Sequence, residues 1–301
     1  MTGRTRGVAV GPPHHPTPEF PAHLEALYRQ FPFERSLAQD PLSCIRPLVN
    51  DRAATEVAGI FAATLAIGNV TAIRGAFADL DRRAGHDFAA LGEPGSGSRY
   101  RSALRTFRHR WIRGDQLAYL AGRVGELRRE YGSLGDLFRS GLEEDGFARG
   151  LDRLARGLRG DGSGPVPRGY RALFPSPLEG AHSPCKRETL YVRWMSRSGF
   201  PDLGVWKGVR SADLRIPLDL HVHWIAYHLG LTQRRTRNWA TVEEVTAGLR
   251  RVDPVDPIKY DFVLCHTGIS GDCPKERDMR VCGPCVVRPD CLLWRPRRGA
   301  S

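Results

Sequence analysis

The sequence predicts an all-α fold that ends in a small cysteine-bound module. Apolar residues recur at three- and four-residue spacing over most of the chain, as expected for amphipathic helices. Runs that alternate between apolar and polar residues do not recur, which disfavours a sheet-based fold. Four of the seven cysteines lie within the last thirty residues, where they indicate a separate ligand-bound unit.

Glycine- and proline-rich breaks separate the predicted helices. The segment 1–18 is rich in Gly, Pro and His and is predicted to be loose. Further breaks fall at Gly68 and Asn69, at 92–98 and at 160–169. The predicted helices are 20–30, 51–67, 70–83, 99–110, 115–131, 146–158, 186–197, 220–229 and 241–250.

Length and composition restrict the class of protein. With 301 residues, 41% of them hydrophobic, the chain can form one large domain or two interlocked ones. No apolar run reaches the ~18 residues of a membrane span. The N-terminus MTGRTRGVAVGPPHHP has no secretory signal pattern. We therefore expect a cytoplasmic, nucleoid-associated protein whose cysteines are metal ligands or free thiols rather than disulfides.

The charge of the chain favours a polyanionic partner. A formal charge of +12 attracts nucleic acid, because neutralised phosphates release their counterions. Most of the basic residues are arginines, so genome composition is an alternative explanation of the surplus. The only lysines are Lys186, Lys207, Lys259 and Lys275, and any chemistry that needs a neutral amine depends on them, because a guanidinium does not lose its proton.

The cysteines near the C-terminus have the spacing C-x8-C-x2-C-x5-C, at Cys273, Cys282, Cys285 and Cys291. Four thiolates within so short a segment can close around one metal centre. Zinc and a [4Fe–4S] cluster both fit, since zinc sites also use C-x2-C pairs. Cys265 is a spare ligand, although its apolar surroundings favour a place in the core.

This pattern resembles the C-x6-C-x2-C-x5-C of the endonuclease III family, which belongs to the helix-hairpin-helix DNA glycosylases. In that family the four cysteines hold a [4Fe–4S] cluster, and the loop between the first two contacts DNA phosphates. The resemblance implies phosphate contacts for Lys275, Arg277 and Arg280 in the loop PKERDMRV. A solvated charged loop is the alternative.

A second resemblance lies at IPLDLHVHWIAYHLGL, residues 216–231. It is similar to the family segment in which a catalytic aspartate opens a helix, and it assigns that role to Asp219, with His221 as the following histidine. From the residues alone, Asp219 is predicted to be an N-cap, a position at which the helix dipole favours a charged carboxylate. Such a carboxylate can stabilise an oxocarbenium-like transition state.

The resemblance assigns the catalytic amine to Lys186, which opens the helix KRETLYVRWMSR beside Arg187, a candidate DNA contact. SPLEGAHSP at 176–184 replaces the family's glycine-rich hairpin. The separation between Lys186 and Asp219, 33 residues (219 minus 186), exceeds the usual spacing and is similar to the archaeal 8-oxoguanine branch, which lacks the cluster. A phosphate-binding role for Lys186, and Lys207 as the amine, remain alternatives.

The family resemblance also implies a mechanism. The amine attacks the sugar C1′ of a flipped nucleotide, and the resulting Schiff base eliminates the 3′ phosphate. Without a well-placed amine, Asp219 could activate water in a monofunctional glycosylase. Asn69, at the end of a helix, corresponds to a side chain that fills the gap left by the flipped base, although it is equally a helix cap.

Together these expectations describe a base-excision DNA glycosylase and probable AP lyase acting as a monomer on double-stranded DNA that contains a damaged base. Its two lobes would be a six-helix body at 40–215 and a cluster lobe at 216–301, with 19–39 packed on the latter. One alternative is a non-catalytic nucleic-acid-binding protein with a structural iron–sulfur cluster or zinc. Another, a metal-dependent hydrolase suggested by the LDLHVHW string, needs a strand there, whereas the following residues predict a helix.

Overall fold

Helices account for most of residues 17–160, 165–180 and 182–294, which the computed structural model describes. The predicted all-α class is therefore confirmed. The expected loose segment 1–18 lies outside the described residues up to residue 16. Within the described ranges, no helix combines the length and apolar character needed to cross a bilayer.

Fourteen α-helices and one short hairpin are present in the described ranges. They are α1 (Phe20–Gln30), α2 (Phe33–Leu37), α3 (Arg52–Leu65), α4 (Val70–Arg83), α5 (Phe88–Leu91), α6 (Ser96–Arg99), α7 (Arg101–Leu104), β1 (Arg108–His109), β2 (Ile112–Arg113), α8 (Gly114–Tyr131), α9 (Leu134–Arg159), α10 (Lys186–Ser196), α11 (Leu220–His228), α12 (Trp239–Val252), α13 (Tyr260–Ser270) and α14 (Met279–Cys282).

The helix α3 lies at the centre of the core. Its residues are buried from Ala54 to Leu65, and all of them are apolar or small except Glu56, which accepts from Trp206. The N-cap Asp51 accepts a hydrogen bond from the Ala54 N–H at 2.9 Å. At Gly59 the helix passes so close to α10 that a Cβ would lie 2.7 Å from the Met195 methyl group. This close crossing fixes α10, and hence its first residue, relative to α3.

The predicted helix 99–110 is wrong beyond its first turn. Helix α7 ends at Leu104, and residues 108–113 form an antiparallel hairpin in which His109 pairs with Ile112. His109 Nε2 bonds to the carbonyl oxygens of Leu65, the last residue of α3, at 3.0 Å and of Ile67 at 3.1 Å. These long-range bonds and the burial of Phe107 and Ile112 stabilise a hairpin instead of a helix.

Helix α9 begins twelve residues before the predicted segment 146–158. It has a break with non-helical backbone at Asp145 and Gly146, and the predicted segment is its second half. Gly146 has a φ of +75°, a conformation that glycine adopts without the steric cost of a Cβ. The first half was missed because LGDLFRSGLEED mixes glycine and charge with its apolar positions.

The N-terminal segment of the described chain packs on the C-terminal elements. Asp290 is buried and accepts hydrogen bonds from the Thr17 N–H at 2.9 Å and the Thr17 hydroxyl at 2.6 Å. Its second oxygen lies 2.7 Å from His23 Nδ1 on α1. The Tyr260 hydroxyl at the start of α13 donates to Glu25 on α1 at 3.1 Å. Residues distant in sequence are thus joined next to the cysteines.

Candidate active site

A cavity of about 390 Å³ lies between the ends of α3 and α10 on one side and α11 and α13 on the other. We call it the lysine–aspartate cavity. It brings together Lys186, Asp219 and Asn69, three of the residues nominated from the sequence. The other polar side chains that line it are Gln39, Asp40, Arg193, His221, Asp261, Cys265 and His266.

Lys186 is the first residue of α10. The preceding residue, Cys185, is buried and has left-handed backbone with a φ of +47°, which turns the chain sharply into the helix. The Thr189 hydroxyl donates to the Cys185 carbonyl at 2.8 Å and closes this first turn. Lys186 is half-buried, and its amine is near enough to Asp261 to act on the pKa of that carboxyl group.

Asp219 caps α11 from the opposite wall. Its Oδ1 accepts from the Val222 N–H at 2.8 Å, so the residue is an N-cap, as the sequence indicated. Its Oδ2 accepts from the Cys265 thiol, with the sulfur 3.4 Å away. Burial and the Asp219 charge raise the pKa of the Cys265 thiol. Cys265 therefore lies in the lysine–aspartate cavity, apart from the four C-terminal cysteines.

Asp261 is a lining residue that the sequence reasoning missed. It is 2% exposed, and burial raises the pKa of its carboxyl group to about 7, against the opposing effect of Arg193. One carboxylate oxygen contacts the Arg193 guanidinium, while Oδ1 has no hydrogen-bond partner among the described residues. The available signal was an acidic residue inside the apolar run YDFVL, a place where a charge is rarely buried without a partner.

Arg193 connects the two walls of the cavity. It is buried and donates to Asp202 at 3.0 Å as well as to Asp261. Arg197, one turn later, donates to Asp202 at 3.0 Å and to Asp256 at 2.8 Å. Two guanidinium groups thus lie among three carboxylates. Such a buried network is geometrically specific, and removing one member leaves an uncompensated charge.

Asn69 lies at the cavity edge as the N-cap of α4, where its Oδ1 accepts from the Ala72 N–H at 2.8 Å. The sequence had left open a wedge or a cap at the end of the preceding helix, and the observed cap is that of the following one. His221 also lines the cavity, whereas His223 Nε2 lies 2.9 Å from the Arg234 carbonyl oxygen. Both histidines belong to α11, so they lack the shared strand face that the metal-dependent hydrolase alternative requires.

The four C-terminal cysteines line a second cavity, of about 450 Å³, which we call the cysteine cavity. Cys273 follows α13, Cys282 ends α14, and Cys285 and Cys291 flank the turn at residues 288–290. The Leu292 N–H donates to the His228 carbonyl at 2.7 Å and joins this segment to α11. Leucine, valine and proline side chains form most of the remaining wall.

The thiols in the cysteine cavity influence one another. Burial, and then Cys291, Cys285 and Cys282, raise the pKa of Cys273 to about 12. Burial also raises the pKa of Cys285 and Cys291. A bound cation reverses this tendency, because it stabilises the thiolate. Among the described residues, no group of three or more His, Cys, Asp or Glu side chains has the arrangement of a metal-ion site.

Comparison with known proteins gives one match. Residues 40–270 match the family described as "Protein of unknown function (DUF2400)", and this stretch is more than half of the chain. The chain belongs to this family. The matched stretch includes Asn69, Lys186, Asp219 and Asp261 and ends before Cys273. Searches of the curated proteins and of the solved structures each found no match.

The basic residues nominated as DNA contacts differ in whether their charged groups are already used in hydrogen bonds or ion pairs. Arg187 donates to the Leu173 carbonyl at 2.7 Å, so part of its guanidinium is already used. Lys275 is exposed, and it forms no ion pair with any part of the chain that the structure describes. Arg277 donates to the Leu293 carbonyl and stacks 5.3 Å from the Trp294 ring centroid. Arg280 is exposed but pairs with Asp278 at 3.1 Å.

The competing amine, Lys207, is exposed and lies outside the lysine–aspartate cavity. Its carbonyl accepts from Arg139 at 3.2 Å, on α9. The neighbouring Trp206 is buried and donates from Nε1 to Glu56 on α3 at 2.8 Å. Of the two amines weighed from the sequence, Lys186 is the one that faces carboxyl groups across a cavity.

Proposed function

We propose that this protein is a DNA repair glycosylase that excises a damaged base, with an associated AP-lyase activity through Lys186. The observation that carries the proposal is that Lys186 and Asp219 line the same cavity of about 390 Å³. Ligand pockets of about 300–1,000 Å³ suit a small molecule or a single nucleoside, and enzymes that act on a duplex base extrude it into such a pocket. The basic composition supplies the attraction for DNA phosphates.

In the proposed reaction, the neutral Lys186 amine forms a bond to C1′ while the glycosidic C–N bond breaks. The base leaves with the electron pair of that bond and takes up a proton. The amine nitrogen passes a proton to a general base, and O4′ takes up a proton as the C1′–O4′ bond breaks to leave an imine. Loss of a C2′ proton then expels the 3′ phosphate. Asp261, whose carboxyl pKa is raised to about 7 by burial, is suited to accept one of these protons near neutral pH.

Asp219 is assigned to stabilise the positive charge that develops on the sugar. Its carboxylate is fixed by the Val222 N–H and the Cys265 thiol, so it needs little reorganisation during the reaction. If Lys186 binds phosphate and does not attack carbon, the same carboxylate can activate water, and the enzyme is then monofunctional.

We also infer that the cysteine cavity holds a [4Fe–4S] cluster that stabilises the fold and positions DNA. A mononuclear zinc site draws four sulfurs to within about 3.8 Å of each other, given a Zn–S distance of ~2.3 Å in a tetrahedron. Here the four cysteines, together with other side chains, line a cavity of about 450 Å³, which has room for a polynuclear group. The apolar wall would shield such a cluster from water.

The proposed helix-hairpin-helix architecture is supported by where the lining residues come from. Asn69 and Lys186 belong to the body at 40–215, and Asp219 and Asp261 to the C-terminal lobe at 216–301. A cleft between two such lobes is where a bent duplex could present one extruded nucleotide to both. Residues 182–184 lead directly into Cys185 and α10, whose first residue is Lys186.

The test is an excision screen over duplexes that each carry one damaged base, with borohydride added to trap a Schiff base. We expect excision of at least one lesion and a covalent adduct that is lost in Lys186→Gln and kept in Lys207→Gln. Excision without trapping would mean a monofunctional enzyme. If wild-type protein neither excises nor is trapped on any lesion, the protein is a non-catalytic nucleic-acid-binding module instead.

A further inference from the structure

The hairpin formed by β1 and β2 is small but firmly anchored. Phe107 and Ile112 are buried on either side of it, and the Gly114 N–H donates to the Phe107 carbonyl at 3.1 Å. His109 is 6% exposed and bonds to the carbonyl oxygens of Leu65, at the end of α3, and of Ile67. The residues at its tip, Arg110 and Trp111, are therefore held on a rigid base.

The hairpin tip exposes an aromatic ring among unpaired positive charges. Trp111 is 61% exposed, the most exposed aromatic side chain among the large hydrophobic residues of the described chain. Arg105, Arg108 and Arg110 are also exposed, and none of them pairs with a carboxylate in the ranges that the structure describes. An exposed tryptophan ring leaves apolar surface in water, and a nucleic acid base can stack on it. The unpaired arginines can bind the phosphates of the same nucleic acid.

The tip lies at the edge of the lysine–aspartate cavity. A Cβ placed on Gly68 would lie 2.7 Å from Arg110 Nη2, so the guanidinium lies directly against this residue. Gly68 and its neighbour Asn69 both line the cavity. Gly68 also has a φ of +99°, a backbone conformation that favours glycine.

We propose that this hairpin is a DNA-reading element of the same site: Trp111 stacks on a base beside the extruded nucleotide, and Arg110 contacts the adjacent phosphate. The inference rests on the proposed function, because it assumes a nucleotide displaced into the cavity. In this proposal Trp111, Arg110 and Asn69 together fill the gap that the displaced base leaves in the DNA stack. The partner is duplex DNA interrupted by a missing or flipped base, since only an interrupted stack offers a free base face.

Binding to DNA tests the hairpin without any need for turnover. The full-length protein is titrated into a labelled duplex that contains one tetrahydrofuran abasic analogue with 2-aminopurine as its neighbour, and into the matching intact duplex. Trp111→Ala should weaken binding to the abasic duplex about tenfold and abolish the quenching of 2-aminopurine, whereas Trp111→Phe keeps most of both. Arg110→Ala should lower the slope of log affinity against log salt by about one.

The matched controls lie at the far end of α8, whose first residue directly follows the hairpin. Tyr131→Ala removes an aromatic side chain that is 39% exposed, and Arg129→Ala removes an exposed arginine. Arg129 lies roughly 22 Å and Tyr131 roughly 26 Å along the helix from its start, at about 1.5 Å per residue. Neither substitution should change the affinity for the abasic duplex by more than twofold.

The outcomes separate the hairpin from the proposed function. If wild-type protein excises bases and Trp111→Ala binds and quenches as wild type does, the hairpin inference alone is overturned. If no lesion is excised but the loss in Trp111→Ala is specific to the abasic duplex, the hairpin inference stands and the enzymatic proposal fails. Equal losses on intact and abasic duplexes, or no DNA binding by wild-type protein, would each overturn the assignment of Trp111 to a gap in DNA.

Discussion

The two cavities contrast in how their polar groups are satisfied. In the lysine–aspartate cavity, the chain supplies opposite charges itself: Arg193 lies between Asp202 and Asp261, and Asp219 is held by a backbone N–H. The cysteine cavity contains four thiols, an apolar wall and a segment with only short helices. The first region satisfies its charges with its own side chains, and the second would depend on the proposed cluster to bind its thiols.

The largest effect that this contrast predicts is at Cys285. Cys285→Ser should remove the bound iron and sulfide and unfold residues 271–294, because metal binding contributes on the order of 10 kcal/mol to the folding of such modules. Metal analysis and limited proteolysis measure the two effects. The matched control is Cys44→Ser, a half-buried thiol far from the cysteine cavity in sequence, which should keep its iron. A Cys285→Ser protein that retains iron and a protease-resistant C-terminus would contradict this division, and zinc in place of iron would overturn the cluster assignment.

A smaller effect on the protein is expected from a substitution at Asp219, which should lower activity without unfolding the chain. Asp219→Asn keeps a side chain that caps helices well, so stability should change little. Loss of the charge should lower the single-turnover excision rate by about 10²–10⁴-fold, the range seen when one acid–base or electrostatic group is removed. The control is Asp87→Asn, which alters the N-cap of α5 in the same way, with its Oδ1 2.8 Å from the Ala90 N–H. Equal rates in the two variants would remove Asp219 from the mechanism.

Glu188, on α10 just after Lys186, is a buried acidic residue without a partner in the described chain, unlike Asp202 and Asp261, which contact Arg193. It is 1% exposed, and neither carboxylate oxygen has a hydrogen-bond partner among the described residues. Burial raises the pKa of Glu188 to about 7, from a usual value of 4.5. The folded protein therefore holds this proton more tightly than the unfolded chain. The stability that it confers is present below pH 4.5 and is lost as the pH rises through 7.

Glu188→Gln should consequently raise the free energy of unfolding at pH 8 by up to about 3 kcal/mol, at 1.36 kcal/mol per pKa unit, and leave it unchanged near pH 4. Urea unfolding at the two pH values measures this difference. Glu130→Gln, an exposed glutamate at the end of α8, is the control and should show no such pH dependence. A variant whose free energy of unfolding differs from that of wild type by the same amount at both pH values would contradict a raised pKa of Glu188 in the fold.

Local sequence patterns predicted most of the helices but few of the tertiary contacts between them. Seven of the nine predicted helices agree with the structure to within two residues at either end, because their apolar faces and caps, such as Asp51 and Asp219, are local signals. The hairpin at 108–113 was missed because His109 bonds to a carbonyl 44 residues away. A prediction from the residues of one helical turn cannot detect a contact over that sequence separation.

The same distinction applies to the candidate site. Lys186 and Asp219 could be nominated because each opens a helix, a position that is visible in the sequence. Asp261 could not be weighed in the same way, since its partner Arg193 is 68 residues away and its raised pKa arises from burial by the whole fold. The cysteine spacing nominated four candidate ligands, but it could not show the cavity that they line, because residues of α11 and α13 form part of its wall.

The smallest predicted effect is on the loop between the first two C-terminal cysteines. Lys275 is exposed and unpaired in the described chain, so if the loop contacts phosphate its ammonium is available to do so. Lys275→Ala should weaken binding to both intact and abasic duplexes by about two- to fivefold and lower the salt slope by about one, because one counterion fewer is released. Arg129→Ala removes the same charge far along α8 and should leave the slope unchanged. Equal slopes in wild type and Lys275→Ala would make this loop a solvated surface, and the cysteine module would then serve folding alone while the lysine–aspartate cavity and its hairpin hold the DNA.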